Sequence, residues 1–139
     1  MKIWLLDTGP LVAYLDARDS AHVKAADGLS AFAGRLVTTS AVITEAMYFV
    51  SSISGGPRAL AEFAHATHLL VYDCAQPSQL KEAARLMSKY ADTPMDFADA
   101  TLVLLADRLG SYEIATLDRR GFSAYRTPGA KTFRLVLDE

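Results

Sequence analysis

Residues 3–7 read Ile-Trp-Leu-Leu-Asp, and residues 113–118 read Glu-Ile-Ala-Thr-Leu-Asp. Both are short apolar runs closed by a carboxylate. A run without polar alternation suits a strand covered on both faces, as in a parallel sheet between helical layers. Working outward, Arg35–Ser40 and His68–Cys74 have the same character, and Thr132–Leu137 reads as a fifth strand. Helical patterns fill the intervals. A short helix runs from Pro10 to Asp16, and a second spans Ala21–Ala33, capped by Asp19 or Ser20 and stopped by Gly34. A third spans Ala41–Ser52 after a Ser40 cap, and a fourth Pro57–Thr67 after the loop Ser51–Pro57. Two more span Pro77–Tyr90 and Pro94–Leu109, the latter stopped by Gly110. Strands alternating with helices predict one α/β domain over residues 1–139, with a mainly parallel five-stranded sheet flanked by helices. Such sheets bind ligands beyond the carboxyl ends of their strands, where Asp7 and Asp118 are predicted to lie.

Composition narrows the function classes. Apolar residues make up 51% of the 139 and charged residues 22%, which excludes a disordered or collagen-like chain. Fourteen basic against sixteen acidic side chains give −2, so this is no generally basic nucleic-acid binder. Contact with RNA or DNA must go through a local patch or a metal ion. The single cysteine, Cys74, excludes an internal disulfide framework and a Cys-rich zinc site, and reads as a small core hydrophobe. No apolar run approaches the roughly 18 residues of a membrane helix. The run after Met1-Lys2 is too short for a signal-peptide core, so a cytoplasmic protein is expected.

Most acids fit caps, solvated faces or chain ends; four do not. Asp7 and Asp118 follow apolar strands directly, although either one alone reads equally well as the cap of the next helix or turn. Glu45 sits mid-helix among Ala41, Val42, Tyr48 and Phe49 at three- and four-residue spacing. Asp99 has Met95, Asp96, Leu102 and Val103 in the same relation. An acid on an apolar stripe needs a partner, because burying an unpaired carboxylate costs several kcal/mol. The helix around Glu45 holds no basic residue, and Arg108 is more than two turns from Asp99. Two carboxylates about 4 Å apart repel by about 4 kcal/mol at an effective dielectric near 20. Protonation or a divalent cation relieves this, and an all-oxygen donor set selects Mg²⁺ or Mn²⁺. Such an ion shares itself between carboxylates, waters and substrate phosphate. It can acidify a water for attack on phosphorus, with a second ion at the leaving oxygen.

Four local patterns then resemble the acidic motifs of PIN-domain ribonucleases, and most of all the small VapC-type toxins of toxin–antitoxin pairs. They are Asp7-Thr8 after the first strand, Glu45 in the helix entered from Thr38-Thr39-Ser40, Phe97-Ala98-Asp99-Ala100, and Ala115-Thr116-Leu117-Asp118-Arg119-Arg120-Gly121-Phe122. The resemblance covers essentially the whole chain. It implies a five-stranded parallel sheet, Mg²⁺ or Mn²⁺ binding and endonucleolytic cleavage of RNA. Carried over by position, Asp7 and Asp99 become the principal metal ligands, while Glu45 and Asp118 hold the water or a second ion. Thr8 and Thr116 match supporting hydroxyl positions, Thr116 toward a metal-bound water or a phosphate. Asp96, one turn before Asp99, is either a further acid of the site or a charge compensating the helix N-terminus. Arg119 and Arg120 read equally as phosphate contacts or as ordinary surface charges. The resemblance also implies a homodimer and a cognate antitoxin.

Met47, Tyr48, Phe49, Val50 and Ile53 place large apolar groups on more than one face of a helix end. Packing against two neighbours is the favoured reading, and a dimer or antitoxin surface is the alternative. Two other functions fit the sequence less well. A receiver domain would use Asp73 as phosphoacceptor, but lacks the paired acids after the first strand and leaves Glu45 and Asp99 unexplained. A non-catalytic PIN-like module for RNA or protein gives no reason for four mutually repelling charges.

Overall fold

A computed structural model describes residues 1–138. Its elements are β1 (Ile3–Leu6), α1 (Thr8–Leu15), α2 (His22–Ala31), β2 (Arg35–Thr39), α3 (Ser40–Val50), α4 (Gly56–Ala66) and β3 (Leu70–Tyr72). They continue with α5 (Pro77–Lys89), α6 (Phe97–Leu109), β4 (Glu113–Ala115), α7 (Arg119–Ala124), β5 (Arg134–Leu135) and a 3₁₀ turn over Val136–Asp138. The strands form one sheet in the order β3-β2-β1-β4-β5, and every pairing is parallel. The α/β sheet read from the sequence is therefore correct.

Register explains the apolar runs. Leu5 pairs with Val37 on one side and Ile114 on the other. All three face one helical layer with Leu102, Val103 and Phe122. Their neighbours Leu6, Leu36 and Ala115 face the opposite layer with Leu11, Val50 and Leu60. Both faces of β1 are covered, so alternation is absent from its sequence.

The strand order reverses between β1 and β4, which opens a crevice at their carboxyl ends. Buried hydroxyls tie that edge together. Thr38 donates to the Leu6 carbonyl at 2.7 Å. The Thr39 and Thr101 hydroxyls pair at 2.8 Å, which links the start of α3 to α6.

Several boundaries differ from the sequence reading. Helix α6 starts at Phe97 rather than Pro94, because Asp96 caps it: the Asp99 N–H donates to Asp96 Oδ1 at 2.8 Å. Helix α3 is capped by Thr39 rather than Ser40. Strand β4 ends at Ala115, where the Thr116 hydroxyl accepts the Asp118 N–H and turns the chain out of the ladder. Strand β5 is only two residues long and gives way to the 3₁₀ turn. Helix α7 has no counterpart in the sequence pattern.

Candidate active site

A cavity of about 540 Å³ opens at the crevice, and its walls include Asp7, Thr8, Glu45, Asp96, Asp99 and Asp118. Each acid arrives there for a local reason. Asp7 ends β1 and caps α1, with Oδ1 accepting the Thr8 N–H at 2.8 Å. Its Oδ2 accepts the Thr116 hydroxyl at 2.7 Å across 109 residues of sequence. Asp118 caps α7, accepting the Gly121 N–H at 2.9 Å. Asp96 and Asp99 form a reciprocal capping box, each accepting the other's backbone N–H. Glu45 enters from one turn into α3. Three helix N-termini thus point toward the cavity, and their partial positive ends offset some of its negative charge.

The offset is incomplete. Asp7 is only 7% exposed, and burial pushes its carboxyl up to about 6, against the opposing hydrogen bonds from Thr116 and Thr8. Burial, then the charges of Asp7 and Asp96, push Asp99 up to about 8. Glu45 is raised by burial and by Asp96, with the Thr8 hydroxyl acting in the opposite sense. The Asp96 charge thus acts on both the Glu45 and the Asp99 carboxyl. Without a cation this cluster relieves its charge by holding protons.

Thr116 lies beneath the cavity. Its hydroxyl is fully buried, donates to Asp7 and accepts from the Asp118 N–H. It braces the two strand-end acids. Arg119 pairs with Asp138 at 3.1 Å, and Arg120 is exposed; neither lines the cavity. Asp19 does line it, although the sequence reading made it an ordinary cap. Its Oδ1 accepts the Ala21 N–H, a turn contact that left no sequence signal for a second role. Asp73 stands beyond edge strand β3, where its carboxylate accepts the Ala75 N–H and the Gln76 side-chain amide.

Gly121 fixes Asp118. A Cβ there would stand 2.2 Å from Asp118 Oδ2 and 2.9 Å from the Tyr125 hydroxyl. Tyr125 is fully buried and donates to the Pro94 carbonyl at 2.7 Å, so it has no room to retreat. We expect Gly121→Ala to displace the Asp118 carboxylate and to lower stability by about 1–3 kcal/mol, as read by urea titration. A loss below about 0.5 kcal/mol would mean that α7 shifts to make room for the methyl group.

The sequence profile of the PIN domain matches residues 4–127, and the chain belongs to the PIN-domain family. Within it, the chain is 36% identical to Ribonuclease VapC26 of Mycobacterium tuberculosis over 135 residues, covering 95% of this chain and 98% of the relative. Two solved structures share the fold. One is M. tuberculosis VapC20, described as a sarcin–ricin-loop-cleaving toxin, with TM-score 0.76, 17% identity, and coverage of 89% of this chain and 96% of that one. The other is a toxin–antitoxin complex from Klebsiella pneumoniae, with TM-score 0.65, 19% identity, and coverage of 96% and 99%.

Proposed function

We propose that this chain is a divalent-metal-dependent endoribonuclease whose acids Asp7, Glu45, Asp99 and Asp118 form the site, and that it acts as the toxin of a toxin–antitoxin pair. The observation that carries this reading is the gathering of these acids over the carboxyl ends of β1 and β4 in a PIN-domain chain. The kinship with a VapC ribonuclease supports RNA as substrate, and the toxin–antitoxin neighbour supports an antitoxin partner. A homodimer and action in the cytoplasm belong to the same proposal. Among the described residues, no helix is long and apolar enough to cross a membrane.

The donor set fits a hard cation in an open arrangement. Among the described residues, no three His, Cys, Asp or Glu side chains close into a metal cage. Mg²⁺ does not require one, because it keeps several waters and takes one or two carboxylates directly. The Thr8 hydroxyl is buried at the cavity wall without a well-formed hydrogen bond, a polar atom left for a ligand shell. Asp7 and Asp99 would hold Mg²⁺ or Mn²⁺, with Glu45 and Asp118 toward water or a second ion. Such an ion, when bound, lowers the pKa of a water and the charge on phosphoryl oxygens. The chain's own part is to orient. Thr116 and the Thr8 N–H fix Asp7, the Gly121 N–H fixes Asp118, and the Asp96 N–H fixes Asp99. Glu45, on the facing wall of the cavity, would hold the attacking water.

The test is cleavage of an end-labelled mixed cellular RNA pool with Mg²⁺ or Mn²⁺, and with EDTA. Discrete cuts that EDTA removes are expected. Cuts that persist in EDTA would overturn the metal-dependent reading.

The raised carboxyls give a second expectation. A group whose folded pKa lies above its unfolded value stabilises the fold below the unfolded pKa, and that stability is lost as pH rises through the folded pKa. For Asp7 the window runs from 3.8 to about 6, and for Asp99 from 3.8 to about 8. Asp7 alone accounts for about 3 kcal/mol over its full window. The metal-free protein should therefore melt about 5 °C or more lower at pH 8.5 than at pH 5. Millimolar Mn²⁺ at pH 8.5 should restore the difference. A melting temperature that rises with pH in EDTA would contradict the cluster's electrostatics.

A further inference from the structure

Tyr125 directly follows α7 and is fully buried behind the acidic cavity. Its N–H donates to the Gly121 carbonyl at 2.9 Å, which ties it back to the first turn of that helix. Its ring meets Tyr90 and Phe122 edge to face, with both centroids 5.1 Å away. Packing explains an aromatic ring here, and a phenylalanine would serve it as well. It does not explain the hydroxyl, a polar atom that is costly to bury unless it is paired.

The hydroxyl donates to the Pro94 carbonyl at 2.7 Å, across 31 residues of sequence. Pro94 lies in the turn before α6, two residues ahead of the Asp96 cap. The Asp96 N–H in turn donates to Asp99 Oδ2 at 3.1 Å. On its other side the hydroxyl stands against Gly121, whose N–H holds Asp118 Oδ1 at 2.9 Å. One buried oxygen therefore bears on the segment that aims Asp99 and on the helix start that aims Asp118. The charges of Asp99, Asp118, Asp96 and Asp7 all reach the phenol, and after burial they are what hold its pKa above the usual range. Tyr90, at the end of α5, makes the converse bond: its hydroxyl accepts the Arg126 N–H at 2.9 Å. That bond joins the same two segments beyond the far end of α7, and it reaches neither acid-bearing helix start.

We propose that Tyr125 is a positioning residue for the metal site: its hydroxyl, bonded to the Pro94 carbonyl, sets the Asp96–Asp99 capping box at a fixed distance from Asp118, so that both walls of the crevice meet one cation. This rests on the acidic cavity being the place of metal binding. Groups that orient metal-binding side chains from behind are worth about 10- to 100-fold in metal affinity.

The experiment compares wild type, Tyr125→Phe and Tyr90→Phe. Each variant loses one hydroxyl and keeps its ring, so both should fold, with melting temperatures lowered by about 4–8 °C. Mn²⁺ binding is measured by calorimetry at a temperature where all three are folded, and RNA cleavage is followed across a range of Mn²⁺ concentrations. Tyr125→Phe should bind Mn²⁺ about tenfold more weakly and need about tenfold more Mn²⁺ for half-maximal cleavage, with the KM for RNA unchanged. Tyr90→Phe should keep the wild-type Mn²⁺ affinity, which separates positioning from a general loss of packing. Unchanged Mn²⁺ affinity in Tyr125→Phe, or an equal loss in both variants, would overturn the proposal and leave Tyr125 a core residue only. Failure of the parent reading looks different, because the wild type itself would then bind no Mn²⁺ and cut nothing in its presence.

Discussion

Asp7→Asn is expected to lower RNA cleavage about 1000-fold or more while the chain stays folded. Asn matches Asp in shape. Its carbonyl oxygen can accept the Thr8 N–H, and its amide can donate to the Thr116 hydroxyl in place of the bond that Asp7 accepts. Thr116 then loses an acceptor for its own proton, a cost of about 1–3 kcal/mol. The opposing gain is removal of a carboxylate that burial disfavours, one already pushed up to about 6. The two are of similar size, so the metal-free variant should melt within a few degrees of wild type at pH 8. The negative charge that would hold the cation is gone, so stabilisation by Mn²⁺ should shrink. Calorimetry with and without Mn²⁺, beside the cleavage assay, separates a lost site from a lost fold. Full cleavage by a folded Asp7→Asn would remove Asp7 from the site.

Phe122→Ala is expected to lower stability by about 3–5 kcal/mol and the melting temperature by about 10 °C or more. Phe122 is fully buried, with ring centroids 5.1 Å from Tyr125 and 5.4 Å from Phe133, both edge to face. Its helix α7 has six residues, too few to hold themselves in water. The ring docks α7 against the core, and α7 presents Asp118 at its N-terminus. Cleavage should therefore fall even at temperatures where the variant remains folded. The free energy is read by urea titration, and activity by cleavage at 20 °C. A loss below about 1 kcal/mol would mean that the Arg126 guanidinium holds the helix instead, through the carbonyls of Ser123, Ala124 and Tyr125.

The sheet and the acids were legible because burial on both faces leaves a plain mark. Ile3–Leu6 has no polar residue, so the carboxylate that follows stands out, and Asp118 likewise closes Ile114-Ala115-Thr116-Leu117, where Thr116 is the one polar residue. Glu45 and Asp99 stood out by helical spacing on apolar stripes. The local hydrogen bonds were less visible. Asp96 reads as a residue inside a helix started by Pro94, yet its side chain takes the Asp99 N–H and starts the helix at Phe97. Six residues with a Gly and two Arg have no helical signature of their own, so α7 is a product of Phe122's docking rather than of propensity. Asp19 reaches the cavity through a loop, where periodicity says nothing. The Met47–Ile53 cluster announced excess apolar surface, but which rings remain in water depends on where α3 lies against the sheet.

The hydrogen bond from Thr116 to Asp7 spans 109 residues. During synthesis the first strand is made long before its neighbour β4, and Asp118 later still. A chain that has not yet reached β4 therefore holds Asp7, Glu45, Asp96 and Asp99 with no Thr116 brace and no Asp118. Until the last fifth of the protein has been made and β4 has slotted beside β1, the crevice between these strands has only one wall, and Asp7 and Asp118 cannot meet across it.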